Sequence, residues 1–216
     1  MRNLQAPLAP LLLSMSLIAI GSRAQAQSAS HLGLGAGVNF YRPTSTDAHR
    51  SNGIGLEYRW HSFHSAWGPT FGLDWHRTGF TQKLGAIDAP LGAIQFRTIL
   101  LGIGHTQHMG RLNASASLSG GYSLNRFALD DRASPTFALA DVSLLGARVR
   151  NSPAARPDVA VWFDVAKRLG VGVSAAYFVA RPDVIVTTNS GTYTRRVRAD
   201  ALEWHAGMTI GVWKDR

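Results

Sequence analysis

Between Asp158 and Val179 hydrophobic and small or polar residues alternate with almost no break. Val159, Val161, Phe163 and Val165 share one parity against Ala160, Trp162 and Asp164. Beyond Lys167-Arg168, Leu169, Val171, Val173, Ala175, Tyr177 and Val179 continue it against Gly170, Gly172, Ser174 and Ala176. A period of two carried by β-branched and aromatic residues predicts two strands joined by a tight turn and argues against a helix. Each arm is about ten residues long, the length at which a tilted strand crosses a bilayer.

Six further stretches repeat the pattern in strong or weakened form: 31–41, 51–61, 69–78, 96–106, 111–122 and 201–213. With the two arms above they predict eight strands. The connections between them run about 9, 7, 17, 4, 35, 2 and 21 residues, so long and short ones alternate after the first pair. Barrels of an outer membrane sort their connections this way, with short turns at one rim and long loops at the other. A soluble sandwich or lipocalin-like barrel has no reason to do so. Facing lipid, Glu57, Arg59, Asp74, Asp164 and Glu203 would be costly, whereas inside they can pair or hydrate. The valine-, leucine- and tryptophan-bearing face is therefore expected outward and the glycine- and carboxylate-bearing face inward. Phe40, Tyr58, Trp60, Trp75, Tyr177 and Trp204 fall near strand ends on the apolar face, where interfacial girdles belong.

The expected fold is all-β: an eight-stranded antiparallel up-and-down transmembrane β-barrel. On this pattern and loop order the chain resembles the small eight-stranded outer-membrane barrels of the OmpA, OmpX and OmpW type. The resemblance covers Ser28 to Trp213 and implies insertion by the barrel-assembly machinery. That machinery typically recognises a last strand ending in an aromatic residue; here Trp213 is followed by Lys214, Asp215 and Arg216, a departure from the pattern.

Composition sharpens the address. Met1-Arg2-Asn3, the apolar run Leu8 to Ile20 and Ala24-Gln25-Ala26 read as a signal peptide over residues 1–26, leaving 27–216 as the barrel. Its removal takes Arg2 and Arg23 but no acid, so the formal charge of +9 becomes +7. The chain has no cysteine, hence no disulfide, thiolate metal site or lipid-modified cysteine.

Candidate chemistry is sparse. Glu57, Arg59 and Asp74 lie on consecutive strands at similar heights and are expected to form an ion-pair plug in a narrow lumen, with Asp164, Glu203 and His205 as further inward polar groups. A gate that opens when the pairs switch is the functional alternative. Leu100, Trp162 and Phe178 are bulky apolar residues of inward parity, placed toward the long-loop end as a possible apolar mouth. The many inward glycines leave room for water or a small ligand, or permit close wall packing. His61, His64, His105 and His108 sit near short turns without carboxylate or cysteine partners at metal-ligand spacing, and read as solvated turn residues. No His-x-Ser pair, G-x-S-x-G, H-E-x-x-H, Walker loop or dinucleotide fingerprint is present, so neither catalytic residues nor a cofactor is expected.

The positive charge concentrates in the long loops. Arg77, Arg97, Arg148, Arg150, Arg195, Arg196 and Arg198 are the candidates for contact with anionic lipid or polysaccharide, and Arg126 and Arg156 are counted with the same end. The expected partners are outer-membrane lipid and lipopolysaccharide; nucleic acid does not fit an exported chain without a binding motif. The chain is expected to be a monomer. In the connection 123–157, a partial apolar stripe over Phe137–Val149 reads as a short helix folding over the barrel mouth or as an interaction loop, and 184–197 reads as two extensions of the neighbouring strands. The function expected from these features is structural or surface interaction through basic loops. A narrow channel or transporter for small or hydrophobic molecules is the alternative, and a lipid-modifying enzyme is less favoured.

Overall fold

The computed structural model describes residues 32–45, 48–60, 67–84, 87–131, 133–138, 143–166 and 169–211; for 32–33, 58–60, 82–84, 87–90, 136–137 and 211 it describes the backbone alone. The proposed signal peptide lies outside the described residues. The strands in chain order are β1 (Leu32–Pro43), β2 (Ser51–Trp60), β3 (Trp67–Leu84), β4 (Ile87–Met109), β5 (Leu112–Leu129), β6 (Leu144–Val149), β7 (Ser152–Ala166), β8 (Leu169–Ala180), β9 (Asp183–Thr188), β10 (Gly191–Arg196) and β11 (Ala201–Gly211). Among the described residues one short helix, α1, spans Ala133–Ala138. Eight strands close a barrel in the order β1-β11-β8-β7-β5-β4-β3-β2, every neighbour antiparallel. β6, β9 and β10 form a separate three-stranded sheet at the long-connection end.

The alternation sets the two surfaces. Leu101, Val173, Leu118 and Ile54 are 60–65% exposed, and Leu34, Trp75, Val161, Trp204, Met208 and Ile210 join them on the outer face. A protein surrounded by water rarely exposes so continuous an apolar surface. From Trp67 to Trp75 the outward residues of β3 take eight steps, roughly 27 Å of strand and roughly 20 Å of height at a tilt of about 40°, close to the apolar band of outer-membrane barrels. Phe40 pairs directly with Trp204, and both face outward, forming part of an aromatic rim. Gly33 pairs with Gly211, so the first and last strands begin and end at the same, short-turn rim.

The long connections differ from their expected form. The stretch 79–95 is no loop: β3 and β4 continue their pairing to Leu84↔Ile87, with a register shift at Phe80/Thr81. β4 therefore has 23 residues, roughly twice what a membrane crossing needs. Within 123–157, β5 runs on to Leu129, α1 overlaps only the first two residues of the apolar stripe, and Leu144–Val149 is a strand. β9 and β10 do form a hairpin, but it pairs with β6 instead of prolonging the barrel strands. Where crown meets barrel, a backbone bond from Arg150 N to Asp183 O (2.9 Å) continues the β6–β9 ladder and one from Ala199 N to Ala180 O (3.0 Å) continues the β8–β11 edge.

The interior changes character with height. Toward the short turns it holds Thr106, Asn113, Ser115 and Ser119, and at mid-height Asn39, Asp74, Arg156 and Glu203. Toward the crown it is apolar, built from Phe80, Leu91, Ile94, Phe96, Leu100, Phe178, Val184 and Ala199.

Candidate functional site

Arg156 stands at the centre of the lumen. It faces inward because β7 begins at Ser152, so that Ser152, Ala154, Arg156 and Asp158 continue the buried parity of Ala160 and Trp162. Pro153 and Pro157 take the exposed parity. β7 pairs with β8 at Ala155↔Val179 and again from Asp158↔Ala176, and Arg156 and Pro157 fall in the interval, where proline has no N–H to give.

From this wall the side chain meets acids carried by three other strands. Nη1 donates to Asp74 Oδ2 and Nη2 to Glu57 Oε1, both at 2.7 Å, and Glu203 Oε1 lies 3.7 Å from Nη1. The Arg156 side chain is 5% exposed, those of Asp74 and Glu203 no more than 2%, and that of Glu57 13%. Neighbouring donors meet some of the remaining acceptors, while Glu203 Oε2 and Arg156 Nε are buried without a hydrogen-bond partner among the described residues. Asn39 Nδ2 donates to Asp74 Oδ1 (3.0 Å) and Tyr41 Oη to Glu203 Oε1 (3.3 Å), while His205 Nδ1 bonds Asn39 Oδ1. Glycine makes the fit possible: a Cβ at Gly72 would lie 3.1 Å from Arg156 Nη2, and one at Gly37 would lie 2.6 Å from the His205 ring. In an eight-stranded barrel, whose interior is just wide enough for side chains, this cross-braced cluster spans the lumen from wall to wall. Charges taken from water persist there because each is paired and hydrogen-bonded.

An aromatic layer seals the next level. His76 is stacked between Tyr41 (centroids 3.8 Å apart) and Phe96 (4.7 Å), and Phe178 meets all three rings edge-on at 5.3–6.4 Å. The Tyr41 hydroxyl belongs to the ion network while its ring belongs to the stack, so the two layers are joined through one residue.

Above the stack lies a cavity of about 170 Å³. Phe80, Leu91, Phe127, Val184, Val186 and Val197 supply its apolar wall, and Ser45, Thr81, Arg195, Arg196 and Arg198 its polar edge. An apolar cavity of about 150 Å³ accepts benzene, which sets the scale of molecule that fits. A cavity of about 40 Å³ lies below the plug, among Glu57, Trp162, Ser174, His205 and Thr209.

The structure brings Glu57, Asp74, Glu203 and His205 together. Asp164 lies apart, accepting from Asn113 Nδ2 at 2.9 Å toward the short-turn end. Arg59 is on β2, but its side chain lies outside the described residues, as do His61 and His64. Leu100 and Phe178 are fully buried within the upper apolar cluster. Trp162 does not join them: four residues before the β7–β8 turn, it lines the small lower cavity. Arg148, Arg150, Arg195, Arg196 and Arg198 belong to the crown or its flanks and are exposed, Arg196 pairing with Asp183 at 3.1 Å. Arg77 and Arg97 are instead on the outer wall of the barrel. His105 packs edge-on against Trp67, and His108 bonds Asn113. Among the described residues no group of acids, histidines or cysteines is arranged to hold a metal ion. The network residue that the sequence pattern places in a loop is Arg156; its signal is the inward parity running back from Asp158 through the two prolines.

No protein-family model matches the chain, and no curated protein matches it in sequence. Its fold is nevertheless shared with solved structures. The outer-membrane protein OprG of Pseudomonas aeruginosa superposes with a TM-score of 0.71 at 13% identity, over 87% of this chain and 98% of that one. The outer-membrane protein AlkL, solved in lipid bilayers, superposes with a TM-score of 0.57 at 13% identity, over 91% and 98%. At such identities the likeness carries the fold: a small eight-stranded outer-membrane β-barrel.

Proposed function

We propose that this chain resides in an outer membrane, closed to ions, and takes small hydrophobic molecules into the apolar chamber at its long-connection end. The observation that carries the reading is the vertical order of the interior: a cross-braced ion network, an aromatic seal, and above them a chamber of about 170 Å³ walled by aliphatic and aromatic side chains. Pockets for small molecules combine such walls with a few polar groups at the edge. Insertion by the barrel-assembly machinery and an environment of outer-membrane lipid and lipopolysaccharide accompany this reading. The chain acts by binding and passing on a molecule, without catalysis or cofactor.

Equilibrium dialysis of radiolabelled toluene against nanodiscs containing the protein tests it. Saturable uptake beyond that of empty nanodiscs, abolished by Val184→Trp, which fills the chamber, is expected. Partition equal to that of empty nanodiscs would contradict it.

A second reading, surface interaction through the crown, is favoured by a different observation. Every residue of β10 is exposed and the strand lies at the edge of its sheet among the described residues, with Arg195 and Arg196 at its end and Arg198 beyond. Neutralising Arg195 and Arg198 would weaken attachment of an anionic polysaccharide without touching toluene uptake if both readings hold.

A further inference from the structure

The exposed arginines fall into two groups, and the group on the barrel wall has a geometry of its own. Arg77 on β3, Gln95 on β4 and Arg126 on β5 are direct cross-strand neighbours, and one pleat nearer the membrane Trp75, Arg97 and Leu124 form the next row. A strand spacing of about 4.8 Å puts Arg77 and Arg126 about 10 Å apart, with Arg97 about 7 Å below their row. All three are exposed, and none is in an ion pair among the described residues. The guanidinium carbon of Arg97 lies 5.1 Å above the Trp75 ring, which holds that charge against the wall. Directly beneath, Ile99, Leu101, Leu118, Tyr122 and Leu124 form an outward apolar track, each more than 40% exposed.

Three like charges this close repel one another, and among the described residues no carboxylate relieves them. Their height supplies the missing counter-charge: they sit at the upper edge of the apolar belt, where lipid phosphates lie. A phosphodiester lipid brings one negative charge against three positive ones. A lipid bearing two phosphate monoesters, each carrying about −1.5 to −2, balances the set. We propose that Arg77, Arg97 and Arg126 bind the phosphates of a bis-phosphorylated saccharolipid of the outer leaflet, whose acyl chains lie along the apolar track below. Arginine suits this role because its planar fork engages phosphate through two parallel bonds. The assignment rests on the reading that the chain spans an outer membrane with its long-connection end outward; it is independent of what the chamber binds.

The test uses the full mature chain in nanodiscs made from equal amounts of hexa-acylated bis-phosphorylated lipid A and phosphatidylglycerol, with retained lipid identified by native mass spectrometry. The wild type is expected to retain lipid A over phosphatidylglycerol by about tenfold. Arg77→Gln/Arg97→Gln/Arg126→Gln is expected to fall to the bulk ratio, and Arg195→Gln/Arg198→Gln in the crown to keep the wild-type preference. Equal retention of lipid A by the triple variant, equal loss in the crown variant, or enrichment of phosphatidylglycerol would overturn the assignment. Flotation with liposomes separates the two levels. A wild-type chain that does not float sinks the membrane-spanning reading and this inference with it, whereas one that floats without lipid A enrichment sinks the inference alone.

Discussion

The lower and upper halves of the barrel interior share one wall and one strand geometry, yet they fill it in opposite ways. At mid-height, polar side chains reach across the lumen until they meet: Arg156 bonds Asp74 and Glu57 at 2.7 Å, and Asn39, Tyr41 and His205 extend the same web. Near the crown, Phe80, Leu91, Val184 and Val197 have no directional bond to satisfy, and a cavity of about 170 Å³ remains between them. A charge removed from water must find its partner within hydrogen-bond reach, so a polar lumen this narrow draws shut. Apolar walls carry no such demand, and where strands and crown hold them apart a void persists. The difference is between a level that side chains fill and a level that keeps a void, which is what the proposed function rests on.

The comparison can be broken first at its most charged point. Replacing Arg156 by Met keeps the bulk but leaves Glu57, Asp74 and Glu203 facing one another, and should cost about 3–5 kcal/mol, measured by urea unfolding from lipid vesicles. Leu100→Ala attacks the apolar half instead. Leu100 is fully buried, so the expected loss is about 2–5 kcal/mol, with binding of toluene altered while the ion network stays intact. Glu57→Gln removes a partly exposed acid whose guanidinium partner keeps two others, and about 1–3 kcal/mol is expected in the same unfolding assay. Arg196→Gln in the crown, an ion pair 71% exposed on the arginine side, should change stability by less than about 1 kcal/mol. The smallest effect is none at all: planar-bilayer recordings of the wild type should show no steady ion conductance, and a steady current would mean that the cross-braced layer does not seal.

The sequence exposed the membrane-facing wall most clearly. Contact with lipid on one side favours an apolar outer parity, and the eight barrel strands carry it in strong or weakened form, with Leu100 breaking the alternation in β4. Beyond the membrane that constraint lapses, so the continued pairing of 79–95 and the short strand Leu144–Val149 left no comparable pattern. Glu57, Asp74 and Glu203 were legible as inward acids because lipid would not tolerate them. Their cation was not legible, because Pro153 and Pro157 made the start of β7 read as loop. A proline on the outward parity, where the β7–β8 ladder is interrupted, is compatible with a strand after all. Trp162 was set at the wrong height for a related reason: parity gives the face of a strand, and only the position of the turn gives the level.

The account stands or falls on where a small apolar molecule goes. Methyl-labelled leucine and valine in nanodisc-embedded protein, titrated with toluene and followed by NMR, reports this residue by residue. The structure predicts saturable shifts at Leu91, Val184, Val186 and Val197, around the chamber. Shifts confined to the lipid-facing Leu34, Leu101, Val161 and Val173 would mean that the molecule stays in the membrane and that the chamber receives nothing.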